Sequence, residues 1–283
     1  MGLLSDLTSL GFETEGIEIF EKKKPAGQTG ETAAAVVEKK EEDFLFSKKY
    51  ECPCCGETFA VPTVRAGKIR PVSQDDDLRP VYDHIDPLKY DAIVCQFCGY
   101  SALSRNFKTM MPIQRKKLKE LIMPKFKGIP PAGETLSYDE AILRYKMVLL
   151  CDIVGLGKNS RKAYTNLKLG WVIRGKLEHL DDTVKEEEKK KLQEEEMECI
   201  RNAYEGFQMA FSSESFPMCG MDEVTVSYLT AVLAFKLGEY KESLKYLGSI
   251  VVNGSASSRI KGKALDLKEQ IKEQVKEQTK SES

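Results

Sequence analysis

Two short cysteine motifs constrain this chain more than any other feature of it. Cys52-Pro53-Cys54-Cys55-Gly56 and Cys95-Gln96-Phe97-Cys98-Gly99 each contain CxxCG, and 39 residues separate Cys55 from Cys95. With two residues between them, the sulfurs of a pair face one point, and the glycine that follows accepts a turn that a Cβ resists. Two such pairs make a tetrahedron. The pattern therefore predicts one structural zinc ion on Cys52, Cys55, Cys95 and Cys98, with Cys54 as a spare thiol whose exchange for Cys52 or Cys55 fits the spacing less well. A redox CxxC pair calls for a βαβ setting, which this stretch does not offer, and a four-cysteine site leaves no position open for the water of a catalytic zinc.

Five of the eight cysteines fall within the 47 residues from Cys52 to Cys98. Clustered pairs of this kind belong to a reducing compartment, where thiols stay free for metals, whereas Cys151, Cys199 and Cys219 read as ordinary thiols. Met1 to Asp6 has no basic flank and no long apolar segment, and Asp6 breaks the myristoylation pattern. The longest clean apolar run, Met147 to Cys151, stops at Asp152, so no transmembrane helix is predicted and a cytoplasmic location is expected. Lys and Arg number 43 against 44 Asp and Glu, a balance that argues against a wholesale polyanion binder.

Periodicity divides the chain in three. Residues 1–43 hold apolar positions from Leu3 to Phe20, enough for a short docking element, and then Lys22 to Glu42, a flexible linker too poor in apolar residues to offset chain entropy. Residues 44–107 alternate like strands, at Thr58 to Val61, Lys68 to Arg70 and Tyr90 to Val94. Residues 108–280 are helical. Ser137 and Glu140 form a capping box, and Ala141, Ile142, Tyr145, Val148, Leu149 and Ile153 make the apolar face of the helix that follows. Ala163, Leu167 and Trp171 stack on the next helix, from Asn159 or Ser160 to about Gly175. A longer one carries Glu186 before Lys190 and Glu187 before Lys191, and continues through Ala203, Phe207 and Ala210. Further helices are expected at Pro112 to Met123, Asp222 to Leu237, Tyr240 to Val252 and Ser258 to Lys276. The fold class is α+β: a small β-rich, zinc-ribbon-like unit followed by an all-α domain. Ala231, Gly238, Tyr240, Ser243 and Leu247 resemble the second half of a tetratricopeptide repeat, with Ser243 and Ile250 where the repeat prefers smaller residues.

Two polar segments suggest further sites. Asp75 and Asp77, with His84, form a candidate secondary site for a cation or a basic peptide; turns capped by Asp side chains are the plainer reading, and His84 reads as solvent-facing or hydrogen-bonded. From Arg105 to Lys127 positive charges exceed negative by seven, and Arg115, Lys116, Lys117 and Lys119 are the candidate nucleic-acid contacts. A basic helix that balances a dianionic zinc–tetrathiolate accounts for the same charges. Three functions are therefore on the table: a non-enzymatic zinc-stabilised protein that offers its helices to a protein or peptide partner, a nucleic-acid-binding ribbon, and an enzyme acting in the 75–91 segment. The first is preferred, because no nucleophile–base pair or phosphate loop supports the third.

Several motifs together resemble an uncharacterised bacterial family, domain of unknown function 2225. They are YxCPxCG around Tyr50 to Gly56, Asp75 to Leu78, Pro87 with Tyr90-Asp91, VCxxCGYxA from Val94 to Ala102, Trp171-Val172-Ile173-Arg174, and Leu237-Gly238-Glu239-Tyr240. The likeness covers about residues 44–275 and implies a zinc-ribbon-like part joined to tetratricopeptide-like helices. It implies no reaction.

Overall fold

A computed structural model describes residues 40–281 apart from residues 131 and 182, with side chains to residue 277; the element expected over residues 1–20 and the linker as far as residue 39 lie outside the described residues. Glu41, assigned from the sequence to the linker, is already part of the fold: it accepts from the Lys89 ammonium and the Tyr90 hydroxyl, the latter at 2.8 Å.

Three antiparallel hairpins form the β-rich part, each a separate two-stranded sheet: β1 (Leu45–Glu51) with β2 (Thr58–Val64), β3 (Pro71–Gln74) with β4 (Pro80–Tyr82), and β5 (Ala92–Val94) with β6 (Ser101–Leu103). The strand expected at Lys68 to Arg70 begins instead at Pro71. Lys68 closes a short 3-10 turn, and Ile69 packs toward Phe44, Leu45 and Ile85. Tyr90 likewise ends a 3-10 turn, Pro87–Tyr90, before β5.

Seven α-helices follow: α1 (Pro112–Leu121), α2 (Tyr138–Val154), α3 (Asn159–Glu178), α4 (Glu186–Ser213), α5 (Glu223–Lys236), α6 (Tyr240–Val252) and α7 (Ser258–Ser281). Their starts follow sequence chemistry. The Ser137 Oγ accepts from the Glu140 amide at 3.2 Å while the Glu140 carboxylate accepts from the Ser137 amide at 2.8 Å, and Asp222 accepts from the Thr225 amide at 2.8 Å. Where helices press together the residues are small. A Cβ on Gly206 of α4 would stand 2.9 Å from the Ala163 Cβ of α3, and the buried Ser243 of α6 donates to the Ala231 carbonyl of α5 at 2.8 Å.

One detail of α2 departs from the periodic reading. Ala141, Tyr145 and Val148 are buried as expected, but the stripe continues to Asp152, whereas Ile153 is 55% exposed. Asp152 turns inward because α3 supplies its partners: the Arg161 guanidinium and, at 3.4 Å, the Thr165 hydroxyl. Between side chains of α4 itself, among the described residues, the ion pair is Glu186 with Lys189, at 3.8 Å and three residues apart rather than four.

Hairpins this short are not stable on their own, and the packing shows what carries them. Leu88, Ala92 and Leu103 join the core built by α2 to α5, while Leu118, Ile122 and Cys151 of the helical part join the cluster around the cysteine hairpins.

Candidate metal centre

Each cysteine motif occupies the bend of a hairpin. In the first, the Cys52 amide donates to the Glu57 carbonyl at 2.9 Å and the Gly56 amide to the Cys52 carbonyl at 2.8 Å. In the second, the Cys95 amide donates to the Tyr100 carbonyl at 2.8 Å and the Gly99 amide to the Cys95 carbonyl at 2.9 Å. The two bends repeat one design. Both close on a glycine in the left-handed region, φ 86° at Gly56 and 75° at Gly99, where an L side chain is strained.

Four sulfurs meet between these bends. The Sγ atoms of Cys52, Cys55, Cys95 and Cys98 all lie within 4.8 Å of one another, with Cys52 to Cys98 at 3.6 Å and Cys55 to Cys95 at 3.7 Å. A tetrahedron with metal–sulfur bonds of about 2.3 Å has edges of about 3.8 Å, so the set has the size to hold one metal ion. Such distances are too long for disulfides, whose sulfurs are about 2.05 Å apart. Crowding also shifts the thiols apart: hydrogen bonds from Cys52 and Cys98 favour the thiolate of Cys95, while the contact with Cys95 holds the proton of Cys52 and contacts with Cys52, Cys54 and Cys95 hold that of Cys98.

An aromatic clasp joins the two bends from behind. Phe107, fully buried, meets Tyr50 and Phe59 of the first hairpin edge-on at centroid distances of 5.4 and 5.8 Å and lies against Tyr100 of the second at 5.0 Å. The Tyr100 hydroxyl donates to the Phe107 carbonyl at 3.1 Å. Two residues that the sequence reading had no reason to single out brace the second bend. The Phe126 ring sits where a Cβ on Gly99 would come within 2.7 Å, and the buried Cys151 thiol donates to the Gly99 carbonyl at 3.5 Å. Burial pushes the Cys151 thiol up to about 12, which keeps it a donor.

Cys54, the spare thiol, is buried beside the set. A hydrogen bond from Cys98 draws it down to about 7 against the opposing effect of burial, with Lys119 and Arg115 of α1 adding favourable charge. The basic helix thus stands next to the sulfurs. Its Arg115, Lys116 and Lys119 are exposed and Lys117 half-buried.

The Asp segment has a different fate. Asp77 is completely buried, and its carboxylate takes the Arg174 guanidinium at 2.7 Å and the Lys236 ammonium at 3.3 Å. Asp75 accepts from Arg79 at 2.7 Å and from Arg174 at 2.9 Å, while Arg79 reaches Glu178 and Arg174 reaches Glu196. Burial opposes charge on Asp77, yet Arg174 and Lys236 overrule it and hold the carboxyl below its ordinary range. These side chains join β3–β4 to α3, α4 and α5. His84 lies apart from them, with φ 65°, its ring stacked on Phe44 at 5.9 Å.

Among the described residues no helix is long and apolar enough to cross a membrane. Neither a curated protein nor a solved structure matches the chain. A family model does match, over residues 45–279, from the first hairpin into the last helix, and the chain belongs to that family, described as an uncharacterized protein conserved in bacteria (DUF2225).

Proposed function

We propose that Cys52, Cys55, Cys95 and Cys98 hold one structural zinc ion, and that the chain is a non-catalytic adaptor offering its helical part to a protein or peptide partner. The observation that carries this reading is the closed sulfur set: four thiols at tetrahedral spacing, three of them buried, leave no ligand position for a substrate or water. Sulfur ligation in a tetrahedron suits zinc among the common divalent ions. The ion would add what hairpins with strands of seven and three residues lack, a link strong enough to hold them on the helices.

Residue 107 is retained as the division between the metal-holding part, 44–107, and the helical part, 108–280, with residues 1–43 as the leading segment. That division follows the change of periodicity, since the two parts share side chains in their cores. The α5–α6 pair, with Gly238 at its turn (φ 79°) and Ser243 against Ala231, supports the tetratricopeptide-like reading. We assign the basic run to charge balance: Lys119 and Arg115 act on Cys54, and Leu118 and Ile122 of the same segment pack into the cysteine cluster. A cytoplasmic site of action accords with free thiols.

The test has two parts. Native mass spectrometry of protein purified without chelator should give one zinc per chain, and cobalt substitution should give the absorption of a tetrahedral tetrathiolate; protein that is metal-free and folded overturns the metal assignment. Affinity capture with intact protein and with Cys95→Ser should then yield a partner that the variant loses. An RNA or DNA species captured in its place, released steeply by salt, would favour the nucleic-acid reading.

A further inference from the structure

We infer that the groove between the outer face of α2 and residues 121–130 is a docking site for an acidic amphipathic helix of a partner protein. The inference deepens the adaptor reading and rests on it. Its starting point is the inward turn of Asp152: the opposite side of α2 carries apolar residues that the core covers only in part, Met147 half-buried and Val154 resting on the cysteine cluster. Leu143, Met147, Leu150 and Val154 recur at helical spacing along that side, and Leu143 and Leu150 are 44% and 43% exposed. Leu121, 46% exposed, and Ile129 stand across from them, and the space between is about 520 Å³.

Length and charge select the occupant. The eleven residue steps from Leu143 to Val154 rise about 16 Å, roughly three helical turns, which matches a helix that inserts side chains at i, i+4 and i+7. The charged residues that line the groove are both cations, Lys125 and Lys127, both exposed, and neither pairs with a carboxylate among the described residues. Lys117, one turn before Leu121 on α1, extends the same sign. An acidic flank on the incoming helix answers all three. The groove is also built on the metal centre: Phe126 in its wall presses on Gly99, and Ile122 in its floor belongs to the cysteine cluster.

The probe is a display library of helical peptides selected against the full zinc-loaded chain, with the winners re-measured by fluorescence anisotropy. The expected consensus has three apolar residues at i, i+4 and i+7 flanked by Asp or Glu. Affinity should fall at least 10-fold with Leu150→Glu, and 3- to 10-fold with Lys125→Glu plus Lys127→Glu. Both sites are exposed, and unchanged circular dichroism and zinc content confirm that the variants fold. Winners that are basic, or that bind Leu150→Glu as well as the parent, overturn the inference. So does a dimer, or adsorption to phosphatidylglycerol vesicles, that Leu150→Glu abolishes, because either gives the face another occupant. Failure of the groove alone leaves capture by the intact chain unaffected by Leu150→Glu yet still lost in Cys95→Ser; failure of the adaptor reading leaves no partner to capture in either background.

Discussion

The hairpins that carry the cysteines and the hairpin that carries Asp75 and Asp77 are held to the molecule by different chemistry. Around β1–β2 and β5–β6 the contacts are four close sulfurs, an aromatic clasp on Phe107 and apolar packing, with Ala92 and Leu103 in the helical core and Leu118, Ile122 and Cys151 in the cysteine cluster. Around β3–β4 it is charge, delivered by Arg174 and Lys236 from helices far along the chain. The difference predicts what each attachment should respond to: the first to metal supply, under the zinc assignment proposed above, the second to protonation.

Metal removal is the strongest way to separate them. Structural zinc sites bind with free energies on the order of 10 kcal/mol, so chelation or Cys95→Ser should release the amides of β1–β2 and β5–β6 to fast hydrogen exchange. Exchange at β3–β4 should rise less. Equal loss of protection in all three hairpins would erase the distinction.

The reverse cut comes next in size. Asp77→Asn leaves Arg174 and Lys236 facing a neutral group in a buried site, a change that costs about 3–5 kcal/mol. Urea unfolding should show that loss while zinc stoichiometry stays at one.

Acid probes the same contact without mutation. Because the folded carboxyl of Asp77 lies below its unfolded value, its contribution is present above about pH 4 and is lost as pH falls through the folded value. Asp91, buried beside Lys168, is shifted the same way. Asp86 is shifted upward, chiefly by burial, so its contribution is full at low pH and lost as pH rises through the folded value, which partly offsets the acid loss. Melting temperature against pH in the parent should fall below pH 4 more steeply than in Asp77→Asn.

The two knuckle glycines sharpen the comparison within the metal half. At Gly56 a Cβ would meet nothing within 4 Å, so Gly56→Ala should cost only the left-handed backbone strain, about 1–2 kcal/mol. Gly99→Ala adds the collision with Phe126 and should cost about 2 kcal/mol more, in the range of overpacked cores; equal costs by denaturant titration would remove Phe126 as a brace. The smallest effect belongs to the basic run. Lys116→Glu with Lys117→Glu should change stability by no more than about 0.5 kcal/mol, measured by the same titration.

The cysteine set and the helix starts were legible because their chemistry is local. A CxxCG bend and a Ser137–Glu140 box each declare themselves within five residues. The partners of Asp77 were not legible for the opposite reason: Arg174 lies 97 positions beyond it, and spacing says nothing about which distant cation will face a carboxylate. Ile153 and Asp152 show the same limit on a small scale. Helical periodicity favoured the apolar side chain, and an arginine on the neighbouring helix decided for the acid.

That span of 97 positions has a kinetic meaning. Closing a long loop carries an entropic cost that nearby contacts do not, and such pairings tend to form after local structure is in place. The buckle between Asp77 and Arg174 would then fasten late, once α3 to α5 have assembled. Stopped-flow traces of Asp77→Asn should accordingly show an unchanged refolding rate and faster unfolding.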